Sequence, residues 1–294
     1  MATRSRQMML FASEVPVISA MNPYRKIQDV FSGVWRRTNP KQVAALEEEL
    51  QVKVETPEQK MEVVLETLGA AKAVRELVEE AATAITIQQV QETTTRIAKA
   101  LPQDTPEHVK TEIQQFVKSE MHKGFGIKQE VAAIEHYEEK AQVAVKERNL
   151  VFSKRELVSL ASHNVFVGGK IDGKAEGKVV EVKNRLKRFM TPLPTYDIAQ
   201  LQTYLFVLNA SEGELVEHLR GRKVQTKSTM VAWDPHMWEN QISPCLVRFS
   251  NALEQFMENP DAQIQFMRSD EHGQKEIIRS HWMRDIRLRE STRQ

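Results

Sequence analysis

The sequence predicts an α/β chain, a small mixed β-sheet flanked by helices, with a helical subdomain let into it. Three observations predict this. Residues 41–125 keep an approximate helical period through Val63, Leu65, Leu68, Ala71, Val74 and Leu77, and Phe116 and Phe125 are their only aromatic residues. Beyond them the pattern shortens to runs that read as strands, near 149–153, 164–171 and 178–184. A helical period then returns over 195–210, where Ile198, Leu201, Leu205 and Leu208 make an apolar face.

Taken in order, residues 1–39 read as a helix-turn unit closed by Asn39-Pro40. Thr56-Pro57-Glu58-Gln59 starts a helix with threonine as cap, proline in the first turn and a glutamine three residues on. Thr105-Pro106-Glu107 repeats the start signal. A helix over 127–147 puts Val131, Ile134 and Val145 on one side. Pro192 and Pro194 break the chain before the helix at 195, with Thr195 as its cap. A strand near 227–233 ends at Trp233-Asp234-Pro235, and a last helix covers 239–258. The expected organisation is an N-terminal helical part (1–40), a helical insertion (41–125), a catalytic core (126–258) and a charged C-terminal tail (259–294).

Composition excludes several classes. Cys245 is the single cysteine, which rules out an internal disulfide and fits an intracellular, reducing compartment. No stretch approaches a membrane span, and the N-terminus lacks the apolar run of a secretory signal, so neither a membrane protein nor a secreted one is expected. No Cys/His cluster has zinc spacing. No Gly-x4-Gly-Lys-Ser/Thr loop exists, which disfavours an ATP-driven helicase-nuclease. The net charge of +1 does not by itself indicate nucleic acid. Its distribution says more. Lys183, Arg185, Lys187 and Arg188 form one basic cluster, and Arg220, Arg222, Lys223 and Lys227 a second. Arg284, Arg287, Arg289 and Arg293 stud the end, while acids concentrate in 45–80.

The chemistry lies in Gly169-Lys170-Ile171-Asp172-Gly173 and, eight intervening residues after the aspartate, Glu181-Val182-Lys183. Two short strands joined by a glycine-containing turn would place Asp172 at the hairpin mouth. Side chains alternate along a strand, so Glu181 and Lys183 share a face and Val182 turns into the sheet. Two converging carboxylates repel unless a cation lies between them. Oxygen-only ligands suit Mg²⁺, or Mn²⁺. With a lysine beside the metal, this is a toolkit for hydrolysing a phosphodiester. A solvated charged hairpin would show the same spacing, and the flanking segments decide between the two. Gln200 and Gln202 can hydrogen-bond a phosphate or a water, and Tyr204 follows one turn after Gln200.

The ordered run Asp172…Glu181-x-Lys183…Gln200-x-Gln202-x-Tyr204 resembles the phage lambda exonuclease and YqaJ-like viral recombinase branch of the PD-(D/E)xK nuclease superfamily. Ile171 stands where that superfamily usually has proline. Upstream, Gly126-Ile127-Lys128-Gln129-Glu130 resembles the start of the helix that carries the family's first acidic ligand, which makes Glu130 the candidate and Glu138 its rival. Phe11-Ala12-Ser13-Glu14-Val15-Pro16 and Asn22-Pro23-Tyr24 resemble the family's opening signature. There the serine and an upstream arginine grip a DNA-end phosphate. Ser13 matches directly, with Arg6 as the better-placed arginine and Arg4 the alternative.

The resemblance implies a restriction-endonuclease-like core and a metal-dependent DNA exonuclease for recombination, repair or genome processing, degrading linear duplex from the 5′ end. It implies Glu130, Asp172, Glu181 and the carbonyl of Val182 as metal ligands, with Lys183 and Gln200 catalytic. Arg6, Ser13, Arg185, Gln202 and Tyr204 would meet DNA. Partners implied are duplex DNA with a free end, a single-strand annealing protein and further copies of the chain. An endonuclease on the same core, or a non-catalytic DNA-binding or assembly protein, are the alternatives.

Overall fold

In the computed structural model the first described element is a strand. The structure describes residues 6–52, 57–81, 87–185, 187–219 and 224–291. β1 (Arg6–Phe11) buries Met8 and Leu10 and turns their neighbours outward, a period of two over six residues. The expectation that 1–39 is a helix-turn unit is therefore corrected at its start. The run is too short and too rich in methionine to show a strand period in sequence. Then come α1 (Val15–Ile18), α2 (Ile27–Thr38) and α3 (Pro40–Leu50).

α4 (Pro57–Thr67), α5 (Ala71–Ala81) and α6 (Ile87–Ala100) lead into α7 (Glu107–Ala141). Met61, Leu65, Val74, Ile97, Ile113 and Val117 close a hydrophobic core of their own, separate from the sheets. α7 is continuous through 125/126 and through Gly126, so that glycine does not open a helix. The distal half of α7 thus belongs to the helical unit and the proximal half to the sheet it packs on.

β2 (Phe152–Ser159), β3 (His163–Lys170), β4 (Gly173–Ala175) and β5 (Lys178–Arg185) follow, then α8 (Thr195–Leu208), β6 (Glu212–Leu219) and β7 (Gln225–Ala232). They form two sheets, β1-β3-β2 and β4-β5-β6-β7, with β1 parallel to β3 and β5 parallel to β6. The β4–β5 hairpin turns through Glu176 and Gly177, both at positive φ (50° and 82°), the geometry of a tight two-residue hairpin loop.

The second sheet is covered on both faces. Val180, Val182 and Val216 pack with Ala133, Ile134 and Tyr137 of α7. Val179 and Leu215 pack with Leu201, Tyr204 and Leu205 of α8. The first sheet packs Met8, Leu10, Val165 and Val167 against Phe31 and Trp35 of α2. Phe249 and Phe256 of the later helices join that core. Those helices are α9 (Pro235–Met237), a π-helical turn at Trp238–Ile242, α10 (Ser243–Met257), α11 (Pro260–Arg268) and α12 (Glu271–Ser291). The expected tail is well packed at its start: Asn259 caps α11, and Phe266 and Ile278 are buried. The chain is thus α/β and flanked by helices as the sequence predicts, with two small mixed sheets where one was expected. Among the described residues, no helix is long and apolar enough to cross a membrane.

Arg4, Thr56, Arg220, Arg222, Lys223 and Arg293 lie outside the described residues, as do the side chains of Arg284, Arg287 and Arg289.

Candidate active site

β5 and α8 build the centre of the site. Pairing of Gly173 with Val180 sets Asp172 opposite Glu181 at the open end of the hairpin. Asp172 Oδ2 accepts the Val182 N–H at 2.7 Å. Glu181 and Lys183 share the face of β5 that meets α8, and Lys183 Nζ donates to Glu181 Oε1 at 2.8 Å and to Gln200 Oε1 at 2.9 Å. The period-two reading of Glu181-Val182-Lys183 holds, and Val182 turns to the opposite face, where it packs against α7.

Glu130 comes to the same place from α7. Its carboxylate accepts from Asn149 Nδ2, and the Asn149 N–H donates to the Ile171 carbonyl at 3.0 Å. Asn149 therefore ties Glu130 to the segment that carries Asp172. It stands at φ 46°, a left-handed conformation that asparagine tolerates. Glu138 points elsewhere: it accepts from the Val145 N–H and pairs with Arg148 at 2.6 Å.

The electrostatics follow from this crowding. Burial, then the charge of Asp172, pushes the Glu181 carboxyl up to about 8. Burial and Glu130 push Asp172 up to about 6, against the opposing Val182 N–H. Glu130 is raised by burial and then by Glu181. Burial would lower Lys183, but Glu181 and Asp197 outweigh it and hold the ammonium charged.

Three placements on β5 and α8 differ from expectation. Arg185 shares the Glu181–Lys183 face and is captured there, donating to Glu217 Oε1 and to Asp197 Oδ2, each at 2.7 Å. Its guanidinium serves a buried ion-pair network, which leaves exposed Lys187 and Arg188 as the outward part of that basic cluster. Gln202, two residues from Gln200, lies about 200° round the helix. It is buried, donates to the Ala232 carbonyl at 2.7 Å and accepts from the Asp234 N–H at 3.0 Å. Tyr204 lies on the Gln200 side, but its hydroxyl donates to the Lys170 carbonyl at 2.8 Å and its ring is buried. It fixes the strand end just before Asp172 rather than lining an open track. A Cβ on Gly169 would stand 3.0 Å from that ring, so only glycine leaves it ordinary room.

At the N-terminus, Ser13 is exposed just past the end of β1, beside the β3 end that leads to Asp172. Arg6 pairs with His163 at the opposite end of β1, about 17 Å away along the strand. The strand that composition concealed thus separates the two. Arg25 is the arginine beside Ser13, its guanidinium donating to the Ser13 carbonyl at 3.1 Å.

Asp197, Glu217 and Asn149 were not singled out by sequence. Asp197 sits in the first turn of α8, with Pro194 rather than Thr195 at the cap position. It lies 3.8 Å from Lys183 Nζ while accepting from Arg185. An acid one turn before Gln200 was the available signal. Glu217 and Asn149 act across distant elements and leave none.

The donor set fits a divalent cation. Among the described residues no three acidic or imidazole side chains close on one point, and each carboxylate is engaged by a neighbour. Glu181 Oε2 is the exception: it is buried without a hydrogen-bond partner. An orphaned anionic oxygen beside two more carboxylates is costly unless a positive ligand meets it. Glu130, Asp172, Glu181 and the Val182 carbonyl are the groups that would hold one.

Residues 65–211 match the family model of the YqaJ-like viral recombinase domain, a span that contains Glu130, Asp172, Glu181, Lys183 and Gln200. The chain is similar to the crystal structure of an alkaline exonuclease, LHK-Exo, from Laribacter hongkongensis. Identity is 14%, covering 60% of this chain and 88% of that one, with a TM-score of 0.36. It is similar to the same exonuclease in complex with dAMP at 16% identity, covering 66% and 96%, with a TM-score of 0.35. No protein with a curated description matches the chain. On the family match, which spans half its length, the chain belongs to the family of YqaJ-like viral recombinase domains.

Proposed function

We propose that this chain is a divalent-metal-dependent exonuclease acting 5′ to 3′ on linear duplex DNA ends, with Mg²⁺ as its ion and Mn²⁺ as a substitute. Its family supports a nuclease. The single observation that carries the metal-dependent chemistry is buried Glu181 beside half-buried Glu130 and Asp172, with Lys183 at 2.8 Å from Glu181 and Glu181 Oε2 left without a partner.

When bound, a divalent ion supplies Lewis-acid stabilisation of phosphate charge and eases deprotonation of a nearby water. The chain's own residues do the following. Val182 N–H, through Asp172 Oδ2, and Asn149, through Glu130, fix two carboxylates before any ligand arrives. Lys183 Nζ, held by Glu181 and Gln200 and kept charged by its acidic neighbours, offsets negative charge gathering on the phosphate in the transition state. Gln200 positions Lys183 through its amide oxygen, and the same side-chain amide bonds the Tyr204 hydroxyl. Ser13 with Arg25 stands at the same edge for a terminal phosphate.

The test is cleavage of 5′-phosphorylated linear duplex and of covalently closed circles, with EDTA and Lys183→Ala controls. Metal-dependent loss of linear DNA alone is expected, and end-labelling then reads the direction. Cutting of circles would replace the exonuclease with an endonuclease. No cutting of either would refute the assignment.

A further inference from the structure

Tyr196, Gln200 and Tyr204 stand at i, i+4 and i+8 on α8 and make one stripe along the helix. Two of them are spent on the cleavage centre: Tyr204 holds the Lys170 carbonyl and Gln200 holds Lys183. Tyr196 lies one turn beyond Gln200, about 6 Å along the axis. It is followed directly by Asp197, which sits 3.8 Å from Lys183 Nζ. Its ring meets Tyr24, with centroids 5.9 Å apart and planes at 86°.

Tyr24 is 80% exposed, the most open large side chain with an apolar body among the described residues. Its backbone is not loose. The Tyr24 N–H donates to Asn22 Oδ1 at 2.9 Å, a local turn that pushes the ring outward. The next residue, exposed Arg25, is anchored on the Ser13 carbonyl. A tyrosine held in water by a turn, braced edge-on by a second tyrosine, and followed by a guanidinium offers what one nucleotide needs. The ring gives an open π-face for a base, and the arginine gives a cation for the adjoining phosphate. The stripe on α8 leads from that ring to the lysine of the cleavage centre.

We propose that Tyr24, braced by Tyr196, is a stacking platform for an unpaired nucleobase next to the scissile phosphate, with Arg25 on the neighbouring phosphate. This rests on the nuclease reading and adds to it that the substrate is engaged as a frayed or single-stranded end. Because the contact is with a base's π-face, it reads no sequence.

Binding in EDTA, where no metal-dependent hydrolysis can occur, tests this. The probe is a duplex with a short single-stranded end carrying 2-aminopurine at the unpaired positions, alongside the same DNA with abasic sites there. Wild type should quench the 2-aminopurine, Tyr24→Phe should bind like wild type, and Tyr24→Ala should bind about tenfold more weakly. The abasic probe should weaken wild type by a similar factor, and the two losses should not add. Unchanged binding by Tyr24→Ala, or fully additive losses, would overturn the platform. Cleavage by wild type with Mn²⁺ is measured in parallel. Cleavage without coupling between Tyr24 and the base overturns the platform and leaves the nuclease standing. Coupling without cleavage supports the platform and removes the nuclease reading.

Discussion

Replacing Glu181 by glutamine should make the metal-free protein less sensitive to alkali while abolishing cleavage. The Glu181 carboxyl titrates near 4.5 in an ordinary setting and about 8 here, because burial and Asp172 oppose its charge. The native state therefore holds this proton more tightly than the unfolded chain does. Between about pH 4.5 and 8 the native state carries more protons, so stability falls as pH rises through that window. At about 1.4 kcal/mol per pH unit the ceiling is about 5 kcal/mol. Asp172 titrates beside it and part of the shift belongs to the pair, so a loss on the order of 2–4 kcal/mol is expected. Denaturant unfolding of wild type and Glu181→Gln in EDTA, at pH 5 and pH 9, reads this directly. The cost of burying an amide is the same at both pH values, so the difference in slope isolates the charge. Mg²⁺ at pH 9 should restore wild type and leave the variant unmoved. Parallel pH dependences in the two proteins would refute the reasoning.

Further outcomes follow from the same geometry. Asp172→Ala and Lys183→Ala should each lower single-turnover cleavage by about 10²–10³-fold or more, with DNA affinity in a mobility-shift assay nearly unchanged. Initial rates at limiting metal should fall as pH drops from 9 to 5, because Asp172 and Glu181, raised to about 6 and about 8, must lose protons to take a cation; a flat profile would contradict the site. Arg185→Ala should destabilise by about 3–5 kcal/mol, since it strands Asp197 and Glu217 in the interior, while the salt dependence of DNA binding stays as in wild type. Tyr204→Phe should cost about 1 kcal/mol in unfolding assays and loosen the strand end before Asp172, lowering kcat with KM unchanged.

The centre of the site was legible because its parts are close in sequence. Asp172, Glu181 and Lys183 lie on one hairpin, where a period of two decides which side chains meet. Gln200 was legible from helical spacing against that strand. The same two periods misled where a partner was hidden. Arg185 continues the Glu181–Lys183 face and read as a phosphate contact until β6 supplied Glu217 beside it. That strand gives no clear sequence signal, because Glu212, Glu214 and Glu217 resemble a solvated segment, yet Glu217 is fully buried against an arginine. Gln202 read like Gln200 by composition, and only its angle round α8 sends it to the far strand. Arg6 and Ser13 are paired by the family resemblance, but β1 stretches them apart, and the segment between α1 and α2 sets Arg25 on the Ser13 carbonyl. Asn149 is a single polar residue in a loop, and its role depends on where α7 sets Glu130.

The most direct measurement replaces Mg²⁺ by Fe²⁺ and generates radicals at the bound ion with ascorbate, so that the polypeptide is cut next to wherever the metal sits. Cuts near residues 130, 172 and 181, suppressed by excess Mg²⁺ and lost in Asp172→Ala, are what this account predicts. Cuts confined to other segments, or cuts at these positions that persist in Asp172→Ala, would contradict it.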